Sequence, residues 1–157
     1  MSTPSQLIDD YFAGVKTLLD AVASMNPDQL KARPILGKWS TLEVVCHLSD
    51  FEPIMADRMK RVLSHDNPAL LGADENRFAA TLAYHDRDLE EELAVIAATR
   101  MQLARILRAQ PAAAFQRVGL HNERGPRTVE QLLTGAINHI NHHVGFVVEK
   151  RRALGLK

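Results

Sequence analysis

The sequence predicts an all-α protein, a four-helix bundle with long connections. Three observations carry this. Apolar residues recur at helical spacing along most of the chain. Four such stretches are long, and each opens on a helix-start signal. No stretch has the length and alternation of a strand, and no repeat is visible.

The first long helix opens at Thr3, with Pro4 at its first position and Gln6 in capping-box register. Leu7, Tyr11, Val15, Leu18, Leu19 and Val22 form its stripe. "MNPDQLKARPILGK" ends it, with room for one turn at "PDQL". The second opens at Ser40. Glu43 completes a capping box, Trp39 and Val44 a hydrophobic staple, and the helix runs to about Leu63. "SHDNPALLGAD" stops it. "ENRFAATLAYHDR" reads as a short helix or irregular turn. Asp88 with Glu91 starts the third, whose stripe is Leu89, Leu93, Ile96, Leu103 and Leu107, closing near Gln110. "AAAFQRVGLHNERGP" reads as a loop. Thr128 and Gln131 then cap a fourth helix that runs to about Leu154.

A chain of 157 residues is expected to form one domain, residues 1–157. Lys+Arg and Asp+Glu both number 19, which leaves no electrostatic footprint for nucleic acid. No apolar run reaches the ~20 residues of a membrane span, and the N-terminus does not read as a secretory signal. The one cysteine, Cys46, excludes an internal disulfide and fits a reducing compartment. The expectation is a cytoplasmic protein with neither membrane nor nucleic-acid partner.

"INHINHHVGF" crowds His139, His142 and His143 onto the last helix. At about 100° per residue, His139 and His143 lie roughly 40° apart on the face that carries Leu132, Ala136, Ile140 and Val147, while His142 turns away. Two histidines at i and i+4 can share a metal ion, yet such pairs also occur on solvated faces. His47, on the flank of the second helix's buried stripe, is the candidate third ligand. Alternatively it is a core histidine that needs a partner at each ring nitrogen. Three histidines would leave coordination positions open for a water, whose pKa the metal lowers, or for a substrate thiolate.

"GKWSTLEVVCHLSDFEPIMADRMKRVL", "RDLEEEL…TR" and the terminal "HxxHH" together resemble the DinB-like (DinB/YfiT) superfamily. The resemblance covers the chain from the first helix to Leu154. It implies an up-down-down-up bundle, often a homodimer. It also implies a divalent metal held by His47, His139 and His143, with zinc or nickel foremost and iron or manganese next. Among such proteins are S-transferases and an isomerase that depend on low-molecular-weight thiols. The expected function is therefore transfer of such a thiol to an electrophilic small molecule. Two alternatives stand beside it: a metal-dependent hydrolase, and a non-catalytic metal-binding, stress-response or dimerisation module.

Other residues divide between site and scaffold. Glu43 or Asp50 could accept from the His47 ring, although the capping box already explains Glu43. Asp50 and Glu52 could support the site or contact a substrate, but most helix carboxylates are simply solvated, and that is the preferred reading. Arg58 points inward, either paired with a carboxylate or receiving an anionic substrate group, with pairing preferred. Cys46 reads as a packing residue. His65, His85 and His121 fall in or near connections; His121 could close over a site at the bundle end, but a surface-loop residue is the preferred reading.

Overall fold

The computed structural model describes residues 3–156. Four long helices carry the fold: α1 (Pro4–Val22), α3 (Thr41–Ser64), α5 (Leu89–Arg108) and α6 (Val129–Ala153). Two short ones, α2 (Pro27–Lys31) and α4 (Glu75–Thr81), lie in the connections. The predicted starts hold. Ser40 and Thr128 each close a full capping box with Glu43 and Gln131. Thr3 accepts from the Gln6 N–H, and Asp88 from Glu90 and Glu91.

Side-chain pairings give the directions. Asp9 meets Arg108 and Tyr11 meets Arg100, so α1 and α5 run antiparallel. Arg151 reaches the carbonyls of Ala21 and Ala23 at the end of α1, so α1 and α6 run parallel. Glu52 meets Arg100 and Lys60 meets Gln102, which makes α3 and α5 parallel. The order is up-down-down-up. Parallel neighbours need a crossover, because the chain must return along the bundle before the next helix can start. That is why the α3–α5 connection, residues 65–88, is long.

The connections contain strands that the sequence did not predict. β1 (Ala69–Leu70) pairs parallel with β2 (Val118–His121), and β2 pairs antiparallel with β3 (Gly125–Thr128). The stretch expected to be a loop is thus a 3₁₀ turn (Ala112–Gln116) followed by a hairpin. Its three-residue turn, Asn122 to Arg124, ends on Gly125 at φ +69°, the left-handed position such turns require. Two- and four-residue strands are too short to show a period. Gly119 packs so close to Val62 and Leu70 that a β-carbon there would overlap them.

Among the described residues the core has two large apolar blocks, and a smaller third one gathers Met25, Leu30, Leu42, Cys46 and Tyr84. Leu7, Tyr11, Met59, Leu103, Leu107 and Leu133 fill one end. Leu18, Val45, Leu48, Ile96, Ile140 and Val147 fill the other. Val15 is only partly buried and Leu19 is exposed, so the α1 stripe is narrower than predicted. A fully buried polar knot ties the helices together. Arg100 donates to Glu52 Oε2 at 2.9 Å and to the Ala136 carbonyl at 2.8 Å. Tyr11 donates its hydroxyl to Glu52 Oε1 at 2.6 Å, and Arg100 stacks over the Tyr11 ring. Glu52 is therefore a buried structural anion, not a solvated carboxylate. Its burial follows from Arg100, 48 positions away, which no local pattern announces.

Candidate metal centre

α3 and α6 run antiparallel, so early residues of one face late residues of the other. This brings His47 opposite His139 and His143. The ring centroids lie 4.9 Å (His47–His139), 4.5 Å (His47–His143) and 4.7 Å (His139–His143) apart. One potential ligand nitrogen from each falls within 4.8 Å of the others, and the Nε2 atoms of His47 and His139 are 2.9 Å apart. His47 is fully buried, His143 nearly so, and His139 half-buried. His142 is exposed, as the helical rotation predicts.

The cluster is neutral. Burial pushes His47 down to about 4. Burial, then the charges of His47 and Arg100, pushes His139 down to about 3. His143 falls to about 3 by burial and then by His139 and His47. At neutral pH all three rings keep a free lone pair, the state that metal ligation needs. Trp39 and Phe51 flank His47 at centroid distances of 5.3 and 4.6 Å, and Phe146 lies 5.4 Å from His143. These aromatic rings, with His139 and His143, line a cavity of about 650 Å³. That is the size of a small-molecule site, about 300–1,000 Å³.

The neighbouring carboxylates have other tasks. Glu43 accepts from the Ser40 N–H at 2.6 Å and from Arg33. Burial works against its charge, but those bonds outweigh it and hold the carboxyl below its ordinary range. Asp50 holds Arg87 through two bonds of 3.0 Å, with Glu92 on the same guanidinium. Neither accepts from His47, and the Nδ1 atoms of His47, His139 and His143 have no hydrogen-bond partner among the described residues. Cys46 is buried against the Tyr84 carbonyl, and burial, with the charge of Glu92, pushes its thiol up to about 12. It packs; it is not poised as a nucleophile.

Lys150, Arg124 and Arg127 escaped the sequence reading, and the preferred readings of His121 and Arg58 need correction. His121 is not a surface residue: it is 5% exposed, on β2, in the cavity wall with Arg124 and Arg127. Arg58 also lines the wall. It finds a carbonyl, that of Leu71, instead of a carboxylate. Lys150 is 3% exposed and lines the opposite end, donating to the Phe146 carbonyl at 3.3 Å. The dense basic run around a glycine in "HNERGPR" was the available signal for the hairpin residues.

Fold and site define a class: an all-helical bundle with an up-down-down-up order and a buried histidine triad beneath an open cavity. The chain belongs to the DinB superfamily, whose family model matches residues 14–147. It is 26% identical over 153 residues to a protein of Geobacillus thermodenitrificans named "Putative metal-dependent hydrolase", with 94% of this chain and 86% of that one covered. YfiT of Bacillus subtilis, which bears the same description, is 27% identical over 151 residues, 96% of this chain and 83% of its own. The solved structure of YfiT, described as an unusual four-helix bundle topology, superposes with a TM-score of 0.92 at 24% identity, over 100% of this chain and 91% of that one. Among the described residues, no helix is long and apolar enough to cross a membrane.

Proposed function

We propose that this protein is a divalent-metal-dependent enzyme acting on a small molecule, with His47, His139 and His143 as the metal ligands. The observation that carries the reading is the convergence of three neutral imidazoles, His139 and His143 in the wall of a cavity and His47 fully buried against them. Two nitrogens bound at 2.0–2.1 Å to one ion lie about 2.9–3.4 Å apart, and the His47–His139 pair meets that range at 2.9 Å. The alternative, imidazoles bonded only to one another, would leave the buried Nδ1 atoms unpaired with nothing gained in exchange, at about 1–3 kcal/mol each. Neutral imidazole donors suit zinc, nickel, iron or copper, and of these zinc or nickel is the expected ion.

A divalent cation held there would supply an acidified thiol or water, and a Lewis acid for a polar substrate group. The chain's own residues supply the rest. Trp39, Phe51 and Phe146 keep bulk water from the rings and offer apolar faces to a substrate. The cavity extends to both sides of the cluster, toward Arg58 and toward Lys150. Two partners could therefore meet at its middle, which favours transfer of a low-molecular-weight thiol to an electrophile. In that reaction the sulfur forms a bond to the electrophilic carbon, the leaving group departs with its electron pair, and the thiol proton passes to solvent. The names of the relatives favour a second reading, hydrolysis. A cavity of about 650 Å³ beside the cluster speaks against a purely scaffolding role. The same reading has the protein act in the cytoplasm as a homodimer, which size-exclusion chromatography with light scattering would test.

Elemental analysis of protein purified without a histidine tag, followed by turnover assays with an electrophile panel, tests the proposal. We expect about one metal per chain, lost in His47→Ala, and turnover that needs an added thiol. Metal-loaded protein that hydrolyses esters or amides without any thiol would overturn the transferase reading. Background metal content in the wild type would overturn the metalloenzyme reading altogether.

A further inference from the structure

We propose that the hairpin end of the cavity is an anion subsite, formed by Arg58, His121, Arg124 and Arg127, for a carboxylate or phosphate group on the small molecule. That the molecule's reacting end lies at the histidine cluster rests on the function proposed above. The subsite itself does not.

The placement comes first. His47, Phe51, Met55 and Arg58 share one face of α3, and all but the buried His47 are in the cavity wall. The 11 positions from His47 to Arg58 correspond to roughly 16 Å of helix at 1.5 Å per residue. β2 and β3 bring His121 and Arg127 to the same end, and the turn between them carries Arg124. One cavity thus joins an imidazole cluster to a cationic pocket at about the length of an extended small metabolite.

The charge is uncompensated. Inside the fold, arginines find carboxylates: Arg100 has Glu52, and Arg87 has Asp50 and Glu92. Arg58, Arg124 and Arg127 have no ion pair among the described residues. Arg58 is half-buried, which works against its cation, and so does the neighbouring charge of Arg124. Glu123 and Asp57 only partly offset this. Glu123 is the one carboxylate in the hairpin turn, and its oxygens lie over Gly72, where a β-carbon would overlap them. Glu75 also lines the cavity, from α4, but is not among the charges acting on Arg58 or His121.

The donors are also pre-set. Arg58 is fixed by Nε and Nη2, which both donate to the Leu71 carbonyl at 3.2 and 2.5 Å; its Nη1 edge has no partner among the described residues. His121 Nδ1 accepts from the Glu123 N–H at 3.2 Å, so in the neutral ring the proton is on Nε2. That Nε2 has no partner among the described residues, on a side chain 5% exposed in the wall. Arg127 spends one N–H on the carbonyl of Pro126. A fixed guanidinium edge, two further guanidiniums and an imidazole N–H make an arrangement that a carboxylate or phosphate oxygen pair satisfies and a neutral group does not.

The test is an NMR titration of the metal-free protein at low ionic strength, with inorganic phosphate in one arm and glutarate in the other. We expect amide shifts centred on residues 118–128, with millimolar dissociation constants (~1–10 mM). Arg124→Ala/Arg127→Ala should weaken binding by about tenfold or more, because two charge-assisted contacts are lost. Glu123→Gln should tighten it about two- to fivefold by removing the competing anion. These side chains are at or near the surface, so the variants should keep the wild-type circular dichroism and metal content. The tighter arm identifies the group as phosphate or carboxylate. No shift at the hairpin below 50 mM of either probe, or equal affinity in the double variant, overturns the subsite. If the hairpin binds anions but the protein takes up no metal, the subsite stands and the metalloenzyme reading fails.

Discussion

Replacing Glu52 with Gln keeps the shape of the buried knot and removes its negative charge. Arg100 is then left with no carboxylate, 0% exposed, among helices α1, α3 and α6. Gln has one acceptor oxygen where Glu52 uses two: with that oxygen facing Arg100, its amide N–H donates to the Tyr11 hydroxyl oxygen, so both contacts persist and the chief loss is the charge. An uncompensated buried cation costs about 3–5 kcal/mol. That is a large part of the ~5–15 kcal/mol that holds a domain together. At about 2–4 °C per kcal/mol for a chain of this size, the melting temperature should fall by about 10 °C. Urea denaturation of the metal-free protein, monitored at the single tryptophan, measures it. Adding Arg100→Met should recover at least about 1 kcal/mol, because it removes the stranded charge. The carbonyls of Tyr11 and Ala136 lie inside helices and keep their intrahelical donors. A cost below about 1 kcal/mol for Glu52→Gln, or a double variant less stable than the single one, would refute the reasoning.

Gly14→Ala should destabilise by about 1–3 kcal/mol although alanine is the better helix former, because its β-carbon would run into the Arg100 guanidinium; thermal melts decide. The metal-free protein should lose stability as pH falls. His47, His139 and His143 stay neutral in the fold down to about 4, 3 and 3, whereas the unfolded chain protonates them near 6.5. Their contribution is fully present above pH 6.5 and declines as pH drops toward 4, by up to about 4 kcal/mol per pH unit. Urea midpoints in the presence of a chelator should follow that slope, and a flat profile from pH 7 to 5 would contradict it. His139→Ala/His143→Ala should abolish the rise in melting temperature that added zinc produces, and a rise that persists in the double variant would place the metal elsewhere. Cys46 should resist alkylation in the native state and react once the chain unfolds, because it is fully buried with its thiol pushed up to about 12.

Much of the helical framework was legible in the chain itself. Caps at Thr3, Ser40, Asp88 and Thr128 are local hydrogen-bond codes, complete within four residues, so they survive without tertiary context. The inward turn of His139 and His143, and the outward turn of His142, follow from helix rotation alone. The helix order came from the resemblance carried by "HLSDFE" and "HxxHH", and the pairings of Arg100 and Arg151 bear it out. The three strands stayed hidden because their pairings lie 51 positions apart (Ala69 with Leu120) or span only four residues.

The sequence by itself therefore determined where each helix begins and which side of it is apolar, since both depend on neighbours within one turn. Only the tertiary structure decided which polar groups are buried and with whom. Glu52 changed from a solvated carboxylate into the counterion of Arg100, and His121 from a loop residue into part of a cationic wall. A side chain's charge environment is set by whatever packs against it, and in an up-down-down-up bundle those partners arrive from helices and strands that are distant in the chain.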